Sequence, residues 1–201
     1  PPFFSSPMSD GGYDVSDFRS VQPGLGTLEE FGEFIDAAHD RGMRVIIDFV
    51  MNHTSSSHPW FQASRTDPDG PFGDYYVWRD DPDGYPDARI IFLDTETSNW
   101  TWDEVRGQYY WHRFYSHQPD LNYENPKVLA EMLDTLRFWL GFGVDGLRLD
   151  AKLGVPGLHV VPDVLLVMAV AERLGVDRRA AAVAVERMPQ THMRLEVVKR
   201  Q

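Results

Sequence analysis

The stretch Gly143-Val-Asp-Gly-Leu-Arg-Leu-Asp-Ala151 holds the pair of residues best placed to do chemistry. It reads as a short buried strand. Period-2 alternation puts Arg148 and Asp150 on one side, with Leu147 and Leu149 on the other. A carboxylate at the C-terminal end of a buried strand, two residues after a guanidinium, suits an ionised nucleophile steadied by a cation. A structural Arg–Asp pair at a strand end explains the same residues about equally well when they are taken alone.

Three further groups lie upstream. Asp48-Phe-Val-Met-Asn-His53 closes an apolar run. Asp48 and Asn52 can hold local backbone or a metal, and His53 can donate a hydrogen bond to a ligand, although a lone histidine there is more often structural. Asp10-Gly-Gly-Tyr13 sets a carboxylate and an aromatic ring on either side of a flexible glycine pair, and its plainer reading is a turn with a core tyrosine. Gln118-Pro-Asp-Leu-Asn122 is, by itself, an ordinary proline-containing loop before a helix.

The elements that must position these groups repeat. Thr27-Leu-Glu-Glu30 reads as a capping box, and Leu28, Phe31, Ile35 and Ala38 follow at helical spacing. Gly42 stops that helix, and residues 44–49 form a β-branched strand with Asp48 near its end. Asn125-Pro126 then caps a second helix, with Leu129, Met132, Leu133, Leu136 and Leu140 as its apolar face. Gly141 and Gly143 end it, and residues 146–150 form the next strand. Helix, glycine, strand and acid thus occur twice. That is the grammar of a parallel α/β architecture, whose functional groups gather at the C-terminal strand ends. Roughly seventy residues separate His53 from Asn125, far more than a βα loop needs. They are rich in Trp, Tyr, Asp, Pro and Gly, and read as an inserted subdomain.

Taken together, DFVMNH, QPDLN and GLRLD, in this order and with a long insertion between the first two, resemble the α-amylase family of glycoside hydrolases and transglycosylases. Within it, the insertion is most similar to that of the trehalose synthase group (maltose α-D-glucosyltransferases). The stretches that carry this are Ser6-Pro-Met-Ser-Asp-Gly-Gly-Tyr-Asp-Val-Ser-Asp17, Tyr76-Val-Trp-Arg-Asp-Asp-Pro-Asp-Gly-Tyr-Pro-Asp-Ala-Arg-Ile-Ile-Phe92, Asn99-Trp-Thr-Trp102 and Gly107-Gln-Tyr-Tyr-Trp-His112. The resemblance covers residues 1–151.

The resemblance implies an α/β fold: a partial (β/α)8 TIM barrel, about strands 2–4, carrying an inserted domain B. The expected divisions are residues 1–53 as partial barrel, 54–124 as domain B, 125–151 as partial barrel and 152–201 as a divergent tail, helical or irregular. Carried over residue by residue, Asp150 is the nucleophile of a retaining enzyme and Arg148 the cation that keeps it ionised. Asp10, Tyr13, His53 and Gln118 grip the glucose being transferred. Asn52 and Asp120 are ligands of a structural Ca2+, whose chemistry requires hard oxygen donors. The expected partner is a small sugar, maltose or trehalose. Hydrolysis, as in the family's α-glucosidases, and sugar binding without turnover are alternatives that the short motifs leave open.

The chain also departs from the family. Lys152-Leu-Gly-Val-Pro156 replaces the Val-Pro-Tyr segment expected after the nucleophile, and the general-acid Glu is not recognisable. All 26 aromatic residues precede Lys152. Residues 1–151 carry 11 basic and 26 acidic side chains, whereas 152–201 carry 8 and 5. This break predicts an incomplete gene product with a frameshifted or recombined tail, missing the first barrel strand and inactive by itself.

The overall charge of −12 repels phosphate backbones and argues against nucleic acid as a partner. No apolar run suits a membrane span. The absence of cysteine and of a recognisable signal peptide fits a cytoplasmic protein.

Overall fold

In the computed structural model, residues 2–151 and 193–198 are described, with residues 149–151 and the last six as backbone. The order is β1 (Phe4–Ser5), β2 (Asp17–Val21), α1 (Leu28–His39), β3 (Ile46–Phe49), α2 (Pro59–Thr66), β4 (Trp78–Arg79), β5 (Trp100–Asp103), β6 (Gln108–Trp111), α3 (Pro126–Phe142), β7 (Gly146–Ala151) and β8 (Met193–Val198).

The two expected helices form where their caps place them. The Thr27 side chain accepts from the Glu30 N–H, and Glu30 returns a bond to the Thr27 N–H, so two otherwise unpaired amides are satisfied. Asn125 caps α3 by accepting from the Lys127 N–H, with Pro126 in the first turn. Gly143, at φ 116°, ends α3 in the left-handed conformation that glycine adopts without steric cost.

The face that α3 buries differs from the leucine stripe expected. It is centred on Val128, Met132, Leu136 and Trp139, with Leu129 and Leu133 at its margin. Trp139 is the reason. It is fully buried, its Nε1–H donates to the Phe18 carbonyl at 2.8 Å, and its ring meets Phe3, Phe4, Phe31 and Phe142 at 5.2–5.8 Å. This cluster joins α1, α3, β1 and β2 into one core.

Strands β3 and β7 pair in parallel, with Asp48 opposite Arg148 and Phe49 opposite Leu149. Two parallel strands share this sheet among the described residues, rather than the three expected of barrel strands 2–4. β1 is bonded to β2 instead, because residues 6–16 fold back and lay Asp17–Val21 beside it. The sheet order is β3-β7-β8, and β8 runs antiparallel to β7. Met193–Val198 is therefore a strand, not the helical or irregular tail expected. Its alternation of Met, Leu and Val with Arg and Glu suits a strand paired along an open edge. The expectation for residues 152–192 lies outside the described residues.

At the N-terminal end of the sheet, Asp145 accepts from Arg44 Nη1 (2.8 Å), the Val45 N–H (2.9 Å) and His39 Nε2 (2.6 Å). Burial alone would raise its carboxyl. The three donors outweigh that and hold it at about 2. One side chain thus ties α1 to the starts of β3 and β7.

The insertion is a three-stranded antiparallel sheet, β4-β6-β5, packed on α2. Its interior is aromatic: Phe61 stacks on Trp78 and meets Tyr76 and Tyr110 edge-on. Arg65 and Asp103 form a largely buried ion pair inside it. No helix among the described residues is long and apolar enough to cross a membrane.

Candidate active site

The C-terminal ends of β3 and β7 lie side by side, and the expected site residues collect there. His53 follows β3 by a few residues. Its backbone pairs with Asp120 in an isolated antiparallel bridge, supported by Leu121 N–H to Asn52 O (3.0 Å) and Thr54 N–H to Pro119 O (3.2 Å). This short ladder fixes where Gln118 sits relative to His53.

Gln118 is fully buried, and a buried amide needs partners on both ends. Its Nε2 donates to Asp10 Oδ2 at 2.8 Å, and its Oε1 accepts from the Tyr115 N–H at 3.3 Å. Asp10 is held by its loop. Asp14, also fully buried, accepts from Ser6 Oγ (2.7 Å), the Ser9 N–H (3.0 Å) and the Asp10 N–H (3.2 Å). Gly12, at φ 97°, completes the turn, and a Cβ there would come within 3.1 Å of the Pro2 carbonyl. Sequence reading missed Asp14 as the organiser of this loop. Its signal was a carboxylate closing a Ser- and Gly-rich turn.

His53 Nε2 lies 3.1 Å from the Tyr13 carbonyl oxygen, and Nδ1 lies 3.2 Å from Asn52 Nδ2. The pattern suits the Nε2–H tautomer, donating to Tyr13 and accepting from Asn52. Burial pushes the imidazole down to about 4, so it is neutral near pH 7. Both ring nitrogens are thus engaged within the chain, and Tyr13 meets His53 through its carbonyl while its own ring packs on the core.

Aromatic rings lie beside these groups. Phe114 lies 5.0 Å from His53, Phe92 lies 6.4 Å from Phe114, and Tyr115 stacks flat on Phe92 at 4.2 Å. The sequence offered no spacing rule for this wall, because its rings come from separate irregular segments of the insertion.

Arg148 is ion-paired with Asp48, its register partner across the parallel strands. Asp150 is the next-but-one residue on β7, one position beyond the Phe49–Leu149 pair. Its backbone therefore lies one residue before the end of β7, at the end of the sheet from which β3 leads on to Asn52 and His53. The expected arrangement of its side chain lies outside the described residues.

Asn52 and Asp120, expected to hold calcium, do meet: Asn52 Nδ2 donates to Asp120 Oδ1 at 3.0 Å, and the Arg113 N–H donates to the same oxygen at 3.1 Å. Calcium takes six to eight oxygen ligands. Among the described residues no group of three or more His, Cys, Asp or Glu could hold a metal. This pair by itself does not fit a calcium shell.

Comparison with known proteins bears on the whole arrangement. The family model "Alpha amylase, catalytic domain" matches residues 1–193, past the point where the sequence motifs stop. The chain is 58% identical over 200 residues to the trehalose synthase of Pimelobacter sp. (strain R48), covering 100% of this chain and 31% of that protein. It is 56% identical over 200 residues to the trehalose synthase/amylase TreS of Mycobacterium tuberculosis (strain ATCC 25618 / H37Rv), covering 100% and 30%. The crystal structure of the trehalulose synthase MutB from Pseudomonas mesoacidophila MX-45 superposes with a TM-score of 0.70 at 43% identity, covering 78% of this chain and 28% of that one. The chain thus spans about a third of the length of these curated relatives. A catalytic-domain match over nearly every residue, borne out by relatives aligned from end to end, means that this chain belongs to the α-amylase family.

Proposed function

We propose that this chain is the pocket-forming and nucleophile-bearing part of a retaining glucosyl-transferring enzyme that converts maltose to trehalose in the cytoplasm. The observation that carries the reading is the buried Gln118 amide bonded to Asp10 across 108 residues of sequence, beside His53. The partly buried Asp10 carboxylate, aimed by the buried Gln118 amide, and an aromatic wall beside His53 supply what a pyranose needs: a directional hydrogen bond and an apolar face.

In this reading Asp150 attacks C1 of the non-reducing glucose. The bond from C1 to the bridging oxygen breaks, a carboxylic acid gives that oxygen its proton, and a glucosyl ester forms on Asp150. The released glucose turns and its 1-OH attacks C1 of the glucosyl ester, breaking the bond from C1 to the Asp150 oxygen and freeing that carboxylate, while the hydroxyl proton returns to the carboxylate that had served as the acid. Exclusion of water by the insertion favours transfer over hydrolysis. Arg148 is a positioning residue that keeps the nucleophile anionic, with Asp48 sharing its guanidinium. The general acid is not identified among the described residues. A closed eight-stranded barrel takes roughly 250 residues, so the 201-residue chain is proposed to bind sugar without turning it over.

Calorimetric titration of the chain with maltose tests the pocket. Asp10→Asn is expected to weaken binding at least about tenfold, or roughly 1.4 kcal/mol. Unchanged affinity in both Asp10→Asn and Gln118→Ala would remove the basis of the reading. Trehalose formed from maltose by the chain alone would overturn the proposed inactivity.

Calcium at Asn52 and Asp120 remains a proposal that requires donors from other residues. If it is correct, EGTA lowers the melting temperature and added Ca2+ restores it, and Asp120→Asn abolishes that response. A melting temperature indifferent to EGTA excludes the ion.

A further inference from the structure

We propose that the cleft between the insertion sheet and residues 122–124 is a second carbohydrate site, which takes a small uncharged sugar. It is a cavity of about 340 Å3, within the range of roughly 300–1,000 Å3 typical of small-ligand pockets. Tyr85 lines it with an aromatic ring, Trp78 lies behind the Arg106 guanidinium, and Asp74, Glu124, Arg79 and Arg106 line it with charge. It shares no lining residue with the group formed by Asp10, Tyr13, His53 and Gln118.

Its polar wall is rigid before any ligand arrives. The Arg106 guanidinium lies over the Trp78 ring, 4.4 Å from its centroid. Nη1 donates to the carbonyls of Ser64 (2.6 Å) and Gly73 (2.8 Å), and Nε donates to Gln108 Oε1 (2.6 Å). Gln108 Nε2 in turn donates to Asp80 Oδ1 at 2.7 Å. A wall locked in this way loses little entropy on binding.

The aromatic wall carries strain. Tyr85 sits at φ 57°, the left-handed region that a bulky side chain rarely occupies, at a cost of about 1–3 kcal/mol. The fold holds it there by laying its ring parallel to Trp100 (6.0 Å, 4°) and edge-on to Trp111 (4.9 Å). A glycine or asparagine would make the same turn with less strain. A strained aromatic that lines a cavity is the kind of outlier found at ligand clamps.

Charge identifies the ligand class. Two carboxylates and two guanidiniums line it, and Asp81 pairs with Arg79, so an anion meets no net positive charge there. A neutral polyol can donate to the carboxylates, accept from the guanidiniums and lay a C–H face on an aromatic ring. Glucose, maltose and trehalose are the probes.

The test uses the full 201-residue chain bearing Asp10→Asn, which weakens the first pocket under the proposal above. Titration with each sugar, read by tryptophan fluorescence and calorimetry, is expected to show one remaining saturable event. Tyr85→Asn and, separately, Glu124→Ala are expected to weaken that event at least tenfold while the far-UV circular dichroism stays unchanged. Glu124 is exposed, so its variant keeps the proposal testable should Tyr85→Asn misfold. No saturable sugar binding in the Asp10→Asn chain, or binding that ignores both variants, overturns the second site. Preferential binding of inorganic phosphate or Ca2+ overturns the ligand class. Failure of the first pocket shows separately, as an Asp10-independent affinity in the otherwise native chain.

Discussion

Trp139→Ala will unfold most of the chain's cooperative core. Truncating a fully buried tryptophan costs about 3–5 kcal/mol from lost burial and the cavity left behind. Here the loss is compounded, because the indole also satisfies the Phe18 carbonyl and is the common neighbour of Phe3, Phe4, Phe31 and Phe142. Domains are stable by only about 5–15 kcal/mol. Urea unfolding should therefore show a midpoint shifted sharply downward, or no folded baseline at all. Trp139→Phe should recover part of the loss, since it refills the hollow but leaves the carbonyl without its donor. An unfolding free energy within about 0.5 kcal/mol of the parent would mean that the aromatic cluster is not the core that joins α1 to α3.

Acid will destabilise the protein well above the carboxylate range. Burial lowers both His53 and His58 from 6.5 to about 4. In the unfolded chain each takes up a proton as pH falls through 6.5, whereas the folded chain resists until about 4. Stability is therefore full above pH 6.5 and falls between 6.5 and 4. With two such groups the slope approaches roughly 3 kcal/mol per pH unit, and the total is at most on the order of 7 kcal/mol. His58 also caps α2 by accepting from the Trp60 N–H, so protonation removes a cap as well. His58→Asn keeps a cap acceptor without a titrating ring, and should about halve the slope measured by denaturant unfolding from pH 4 to 7. A slope unaltered by both His58→Asn and His53→Gln would show that other groups govern the acid limb. Asp145 adds a later loss of opposite origin. Its lowered carboxyl stabilises the fold above about 3.8, and that contribution fades as pH falls towards 2.

Both predictions concern residues whose importance was only partly visible in the chain's order. Local signals placed the elements well. Thr27 with Glu30, Asn125 with Pro126, and Gly143 all specify backbone conformation over a few residues, and α1 and α3 begin where these residues put them. The parallel pairing of β3 with β7 followed from two helix-to-strand units of like pattern. The leucine stripe on α3 misjudged the buried face, because periodicity weighs residues equally whereas packing is ruled by the largest side chain. β8 was at best a weak strand candidate around Leu195–Val198, because a few alternating residues are a faint signal until an edge is known to be open beside them.

The motif residues Asp10, His53, Gln118, Asn52 and Asp120 were legible from the sequence as types of chemistry, and their nearness was implied by resemblance. The tertiary structure alone decided how each is held. It turned Gln118 onto Asp10, gave both nitrogens of His53 to Tyr13 and Asn52, and set Arg148 against Asp48. It also built the Phe92, Phe114 and Tyr115 wall and made Asp14 the hub of its loop. The division has a physical cause. Caps, turns and alternation are contests among neighbouring residues, which sequence order contains. Hydrogen-bond partners and stacked rings more than a hundred residues apart depend on the register of strands and the packing of helices, which exist only once the chain has folded.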